Sequence, residues 1–102
     1  SDPLSETKEL ASELSNPLGD FYSEGVKSIS ETYLSRENVE ATHVYDFERK
    51  KTFLFLFKKD GKMNVSNENI SNHYDTGYVK QSADIEYFNK KIGEITVFYL
   101  NN

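Results

Sequence analysis

The chain has 102 residues, 36% hydrophobic, 14% aromatic and 28% charged, with 17 acidic against 12 basic side chains and a net charge of −5. This length supports one domain with one modest core, and the aromatic load excludes a disordered chain. Net acidity argues against nucleic acid as a partner, and the lack of Cys excludes a disulfide framework, a thiolate zinc site and a Cys nucleophile.

Leu4, Leu10, Ala11, Leu14 and Leu18 recur near helical spacing, which predicts a helix over 4–15. Pro3 sits at its start, where a missing N–H costs nothing. Asn16-Pro17 is expected to end it, because proline disfavours helix at the preceding residue. A second helix is predicted over 23–34, with Val26, Ile29, Tyr33 and Leu34 on one face and Asp20 or Ser23 as its cap. From Val39 the period changes to two. Strands are predicted at 39–46 and 51–58, joined through Phe47-Glu48-Arg49-Lys50. Asp60-Gly61 is a strong hairpin turn into a short strand at 62–65, and the polar stretch 64–75 reads as a loop. A last hairpin pairs 77–88 with 92–100 and turns at Asn89-Lys90-Lys91. Five successive strands require antiparallel pairing, since parallel neighbours need long crossovers. The expected fold is α+β in a single domain over 1–102. Its N-terminal helices (1–36) pack on a five-stranded antiparallel sheet (37–102).

In Phe53-Leu54-Phe55-Leu56-Phe57 both faces are apolar, so this strand is expected to be covered on both sides and central. The helices cover one face. The long loop, a partner subunit or a ligand cavity must cover the other. Residues 46–62 carry six bases against three acids in an otherwise acidic chain. Such a run reads as the solvated ends of a hairpin, or as a patch for anionic lipid or an anionic ligand. The apolar stripe of the first helix suits core packing or a dimer.

No catalytic arrangement stands out, and the chain is read as a non-enzyme without cofactor or metal. His43 and His73 lack metal-ligand spacing, and His43 in a strand reads as a half-buried structural histidine. Asp84 and Glu86 lie two apart on one solvated strand face. No Gly-rich phosphate loop is present. Ile92-Gly93 marks a bulge or a close backbone approach in the last strand, one that lets a helix lie against the sheet.

The stretch Leu10-Ala11-Ser12-Glu13-Leu14-Ser15-Asn16-Pro17-Leu18-Gly19-Asp20-Phe21 resembles the start of a class of small extracytoplasmic sensors that reads "LA…L…PLW.F". Glu24 to Leu34 resembles their "E.V..I...YL" helix, and Asn38 to Asp46 their following strand. Asp84 to Phe98 resembles the "I.Y.n.k.IG.v.v" ending. The family is the PAS-like (Cache or CHASE-type) periplasmic sensor domain of transmembrane histidine kinases, chemoreceptors and cyclic-di-GMP enzymes. The resemblance implies a PAS-like fold and an extracytoplasmic domain of an inner-membrane receptor, with spans just before Ser1 and just after Asn102. It also implies signal relay through the first helix and last strand, and a homodimer through the N-terminal helix. Where the family frequently carries Trp after Pro-Leu this chain has Gly19. The short segment between the third and fourth strands implies a shallow pocket.

On that reading the candidate ligand contacts are Tyr45, Lys58, His73, Tyr78 and Lys80. Their cationic and phenolic groups near the open sheet face suit a small carboxylate, held by charge-assisted hydrogen bonds. The alternative is a cystatin-like or NTF2-like module of a lipoprotein or an assembly, mediating protein interaction.

Overall fold

The computed structural model describes residues 2–101. Two helices, α1 (Pro3–Gly19) and α2 (Ser23–Leu34), precede five strands. The strands are β1 (Val39–Asp46), β2 (Lys51–Lys59), β3 (Lys62–Ser66), β4 (Tyr78–Tyr87) and β5 (Lys90–Leu100), with a 3-10 turn at Ser71–Tyr74 between β3 and β4. The sheet is antiparallel throughout, in the order β3-β2-β1-β5-β4. Both helices lie on one face, α1 over β4 and β5 and α2 over β1 and β2. The fold is α+β, as the change of period predicts.

Asp2 caps α1, accepting the Ser5 N–H at 2.8 Å. With Pro3 in the first turn, two of the helix's orphan donors are resolved locally. Thr7, Leu10, Ala11, Leu14 and Leu18 form its buried stripe. The helix does not stop before Pro17 but continues to Gly19. Proline removes one bond of the last turn. Burial of Leu18 offsets that loss by roughly 1.5–3 kcal/mol. The N–H groups of Asp20, Phe21 and Tyr22 then close on the carbonyls of Asn16, Leu18 and Pro17. Neither Asp20 nor Ser23 caps α2. Tyr22 holds the N-cap position without a side-chain bond, and the Asp20 carboxylate instead accepts from the Tyr87 hydroxyl.

Register fixes what meets at each end of the sheet. Val39 lies opposite Tyr99, and Tyr78 opposite Leu100. The starts of β1 and β4 and the end of β5 therefore share one end, called here the clasp end. The opposite end carries the β1–β2 and β4–β5 turns. The main core lies between helices and sheet and includes Leu10, Leu14, Val26, Leu34, Val44, Leu56, Ile85 and Ile95. A second, smaller core of Ala41, Phe55 and Phe98 lies on the other face, called the far face. β2 is covered on both faces but is not central; β1 holds the middle. Between the pairs Val44–Leu54 and Tyr45–Thr52 one extra residue, Phe53, bulges out of register. It joins the helix side, where its ring meets Phe21 at 5.7 Å.

The last hairpin turns at Phe88-Asn89 rather than at Asn89-Lys90-Lys91, and both turn residues have positive φ (49° and 63°). That is the backbone of a two-residue primed turn. Asn89 suits it. Phe88 does not, and its side chain is 87% exposed. The close approach expected at Gly93 is present: a Cβ there would lie 2.5 Å from the Tyr45 carbonyl oxygen and 2.8 Å from Leu18. Gly19 lies under the ring of Tyr87, which fills the space a side chain there would need.

Two buried hydroxyls between α2 and the sheet, on Ser30 and Thr42, have no hydrogen-bond partner among the described residues. Replacing Thr42 by Val removes a buried orphan while nearly keeping shape. Thr42→Val is expected to raise the urea midpoint, worth up to ~1 kcal/mol. A lower midpoint would mean the hydroxyl finds a partner in solution.

Candidate functional site

Two features concentrate polar and aromatic chemistry, one on the far face and one at the clasp end. On the far face the chain between β3 and β4 crosses back over the sheet. Its 3-10 turn lays Ile70 and Tyr74 onto Ala41, Phe55 and Phe98. The Tyr74 ring centroid lies 4.9 Å from Phe98, 6.2 Å from Phe55 and 4.9 Å from Tyr78. The second apolar face of β2 is thus covered by the protein's own loop, the first of the three coverings the sequence leaves open. Burial, together with nearby Tyr78 and Glu40, raises the Tyr74 hydroxyl above the ordinary phenol range.

His43 extends this aromatic row toward the opposite end. Its ring lies 5.2 Å from Phe55 and 6.3 Å from Tyr45, and its Nε2 is 2.8 Å from the Thr52 hydroxyl. It is 6% exposed, more deeply buried than the half-buried histidine its strand position suggests. Burial lowers its pKa from the ordinary histidine value of about 6.5 to about 4. Between these values the unfolded chain binds a proton that the folded chain refuses, so stability falls as pH drops below about 6.5. With screening discounted, the loss at pH 5 is expected to be about 1–2 kcal/mol. His43→Gln should flatten this part of the stability–pH profile. An unchanged profile would place the titration elsewhere.

The five candidate contacts do not converge. His73, Tyr78 and Lys80 border the loop: His73 precedes Tyr74 and is exposed, Tyr78 touches Tyr74, and Lys80 lies opposite Phe98. Tyr45 stands near the other end, beside Phe47 at 6.0 Å. Tyr45 pairs with Glu94 and Tyr78 with Leu100, six β5 residues apart, or roughly 20 Å at strand rise. Lys58 lies two residues after Leu56 and shares its helix-side face, where its Nζ donates to the Arg36 carbonyl at 2.7 Å. The sequence signals basic and phenolic residues but not the face each takes.

The clasp is the feature that sequence reasoning missed. The Tyr99 hydroxyl, at the end of β5, lies 2.8 Å from the Thr7 hydroxyl and 2.7 Å from that of Tyr33, and donates to the Pro3 carbonyl at 3.1 Å. The Thr7 hydroxyl also lies 2.7 Å from the Pro3 carbonyl oxygen, so three hydroxyl protons are shared among these contacts and the Pro3 carbonyl accepts from Thr7 or Tyr99 in turn. Tyr33 donates to Glu6 at 3.4 Å, and Glu6 in turn pairs with Arg36 at 3.6 Å. The Arg36 guanidinium sits 4.2 Å above the Tyr33 ring. Burial raises the Tyr33 hydroxyl well above the usual phenol range, with the bond to Tyr99 adding to it, and burial also raises the Tyr99 hydroxyl against the lowering effect of its bonds to Thr7 and Tyr33. The start of α1, the end of α2 and the end of β5 are thereby joined through one buried group of hydroxyls. Alternation in β5 marks Tyr99 as core-facing. Nothing local reveals that Thr7 and Tyr33 meet it.

The apolar stripe of α1 faces the sheet, so helix pairing in a dimer would use the polar flank of α1. A groove of about 450 Å³ runs between that flank and β4, lined by Lys8, Ala11, Ser12, Ser15, Ala83, Asp84 and Glu86. Among the described residues no His, Asp and Glu cluster could hold a metal ion, and no helix is long and apolar enough to cross a membrane. No family model matches the chain, and no curated protein does.

Proposed function

We propose that the chain is the extracytoplasmic input domain of a membrane receptor, of the histidine kinase, chemoreceptor or cyclic-di-GMP enzyme type. The observation that carries this reading is the clasp. The first turn of α1 and the last residues of β5 lie at one end and are bonded to each other through Tyr99, so chain continuing from either would leave side by side. Consecutive residues of β5 connect the two features: Phe98 packs under Tyr74 on the far face, and Tyr99 holds the clasp behind it. A small carboxylate meeting His73, Tyr78 and Lys80 would bind by lifting Tyr74. It would shift the clasp only by its affinity difference between the two arrangements.

The test is the coding sequence on both sides. Apolar stretches of about 20 residues on each flank, with an output module after the second, are expected. A lipobox Cys upstream with a stop codon soon after Asn102 would overturn the reading. The far face filled by Ile70 and Tyr74 would then favour a protein-interaction module of the cystatin-like or NTF2-like kind.

A further inference from the structure

We propose that two copies of the chain associate through the outer edge of β4, which no strand pairs, pairing antiparallel about Ala83 and joining their sheets into one. The sheet has two edges. β3 spans five residues, too short to template much pairing. β4 spans ten, Tyr78–Tyr87, with neither Pro nor Gly and no residue at positive φ. At its one register shift, Ile85–Gly93 is followed by Glu86–Lys91, so the extra residue, Ile92, sits on β5 and β4 itself stays regular. Natural edges of this length are blunted by Pro, by a bulge or by charge. β4 has charge and, at Glu86, a carbonyl that already accepts from the Ser15 hydroxyl of α1 and has one lone pair left for a second copy; the charge is self-complementary. Two-fold pairing about Ala83 sets Lys80 opposite Glu86 of the second copy, Ser82 opposite Asp84, and Gln81 opposite Ile85. No like charges oppose one another, and Asp84 keeps its bond to Lys91 at 3.0 Å.

Sterics allow the joint. Paired edges sit about 4.8 Å apart, and α1 lies over β4 and β5. The two α1 helices would come side by side near the 8–10 Å of packed helices. The flank they present carries Ser12 and Ser15, small side chains that permit close approach, with the flexible Lys8 beside them at the groove above β4.

The test uses the 102-residue chain in solution. Sedimentation is run up to about 1 mM, the effective concentration that tethering would supply. A dimer is expected. Lys80→Glu should weaken it about tenfold, and adding Glu86→Lys should restore it. The chain has no Cys, so Ala83→Cys gives a clean crosslink: oxidation should join two copies, while Val65→Cys on the β3 edge should not. A monomer at every concentration would overturn the inference. So would a dimer indifferent to the charge reversal, or Ala83→Cys crosslinking no faster than Val65→Cys. The inference stands apart from the sensor reading, since flanking sequence decides that one and sedimentation decides this one.

Discussion

Gly93→Ala is expected to destabilise the fold by about 3 kcal/mol, the upper end of overpacking costs, and to lower Tm by roughly 12–24 °C. The added methyl would meet the Tyr45 carbonyl oxygen at 2.5 Å and the Leu18 side chain at 2.8 Å. Leu18 can shift a little. Tyr45 cannot, because its strand is paired on both sides, to β2 and to β5. Relief therefore means parting β1 from β5 at Asp46–Gly93, next to the Phe47 N–H that donates to Ile92 at 3.0 Å. A control separates close approach from backbone conformation. Gly61 has φ +73° and open space around its would-be Cβ. Gly61→Ala should cost only the left-handed penalty, about 1–2 kcal/mol. Equal losses for the two variants, read by urea denaturation, would show that β1 and β5 yield at Gly93.

The same positions show what the sequence makes legible. Asp60-Gly61 announces its turn because both residues suit positive φ, and the structure turns there, at φ 53° and 73°. Phe88-Asn89 makes the same kind of turn, with a residue poorly suited to its first position. Pairing of β4 and β5, with Ile85, Ile92 and Ile95 buried, sets that register and overrides the local preference. Pro17 is a similar case: a local rule against helix yields to the burial of Leu18. The two apolar faces of Phe53–Phe57 do reveal that something covers the far face. They cannot reveal that Tyr74 does, since loop residues carry no period. Candidate contacts chosen by residue type fare least well. Lys58 and Lys80 look alike in sequence, yet Lys58 is turned to the helix side and spent on the Arg36 carbonyl. The clasp depends on three hydroxyls brought together over up to 92 residues of chain, which only the fold can specify.

Tyr99→Phe is expected to cost about 2–3 kcal/mol, since one hydroxyl serves three contacts. The Pro3 carbonyl keeps its bond from Thr7, but buried Tyr33 is left with Glu6 at 3.4 Å. Leaving such a group nearly unsatisfied accounts for most of the loss. The pH dependence gives a second signature. Tyr33 and Tyr99 both have raised folded pKa values. Above about pH 10 an unfolded chain gives up these protons and the folded one keeps them, so stability falls as pH rises. Below pH 10 the contribution is fully present. Tyr99→Phe removes one of the two groups, and with it part of the alkaline slope. An unchanged slope would mean that the clasp is open in solution. Amide exchange locates the damage. The first turn of α1 should exchange faster in the variant, while the stretch around Leu14 and Leu18, packed against Ile85 and Gly93, should hold. If the chain is an input domain, this is the change that matters. α1 would be freed from β5 at the end where both would meet the membrane, with the far face and Tyr74 untouched. Receptor output would then shift, and because a ligand that moves the clasp must bind its two arrangements unequally, ligand affinity shifts by the reciprocal factor; an unchanged affinity would separate the ligand from the clasp.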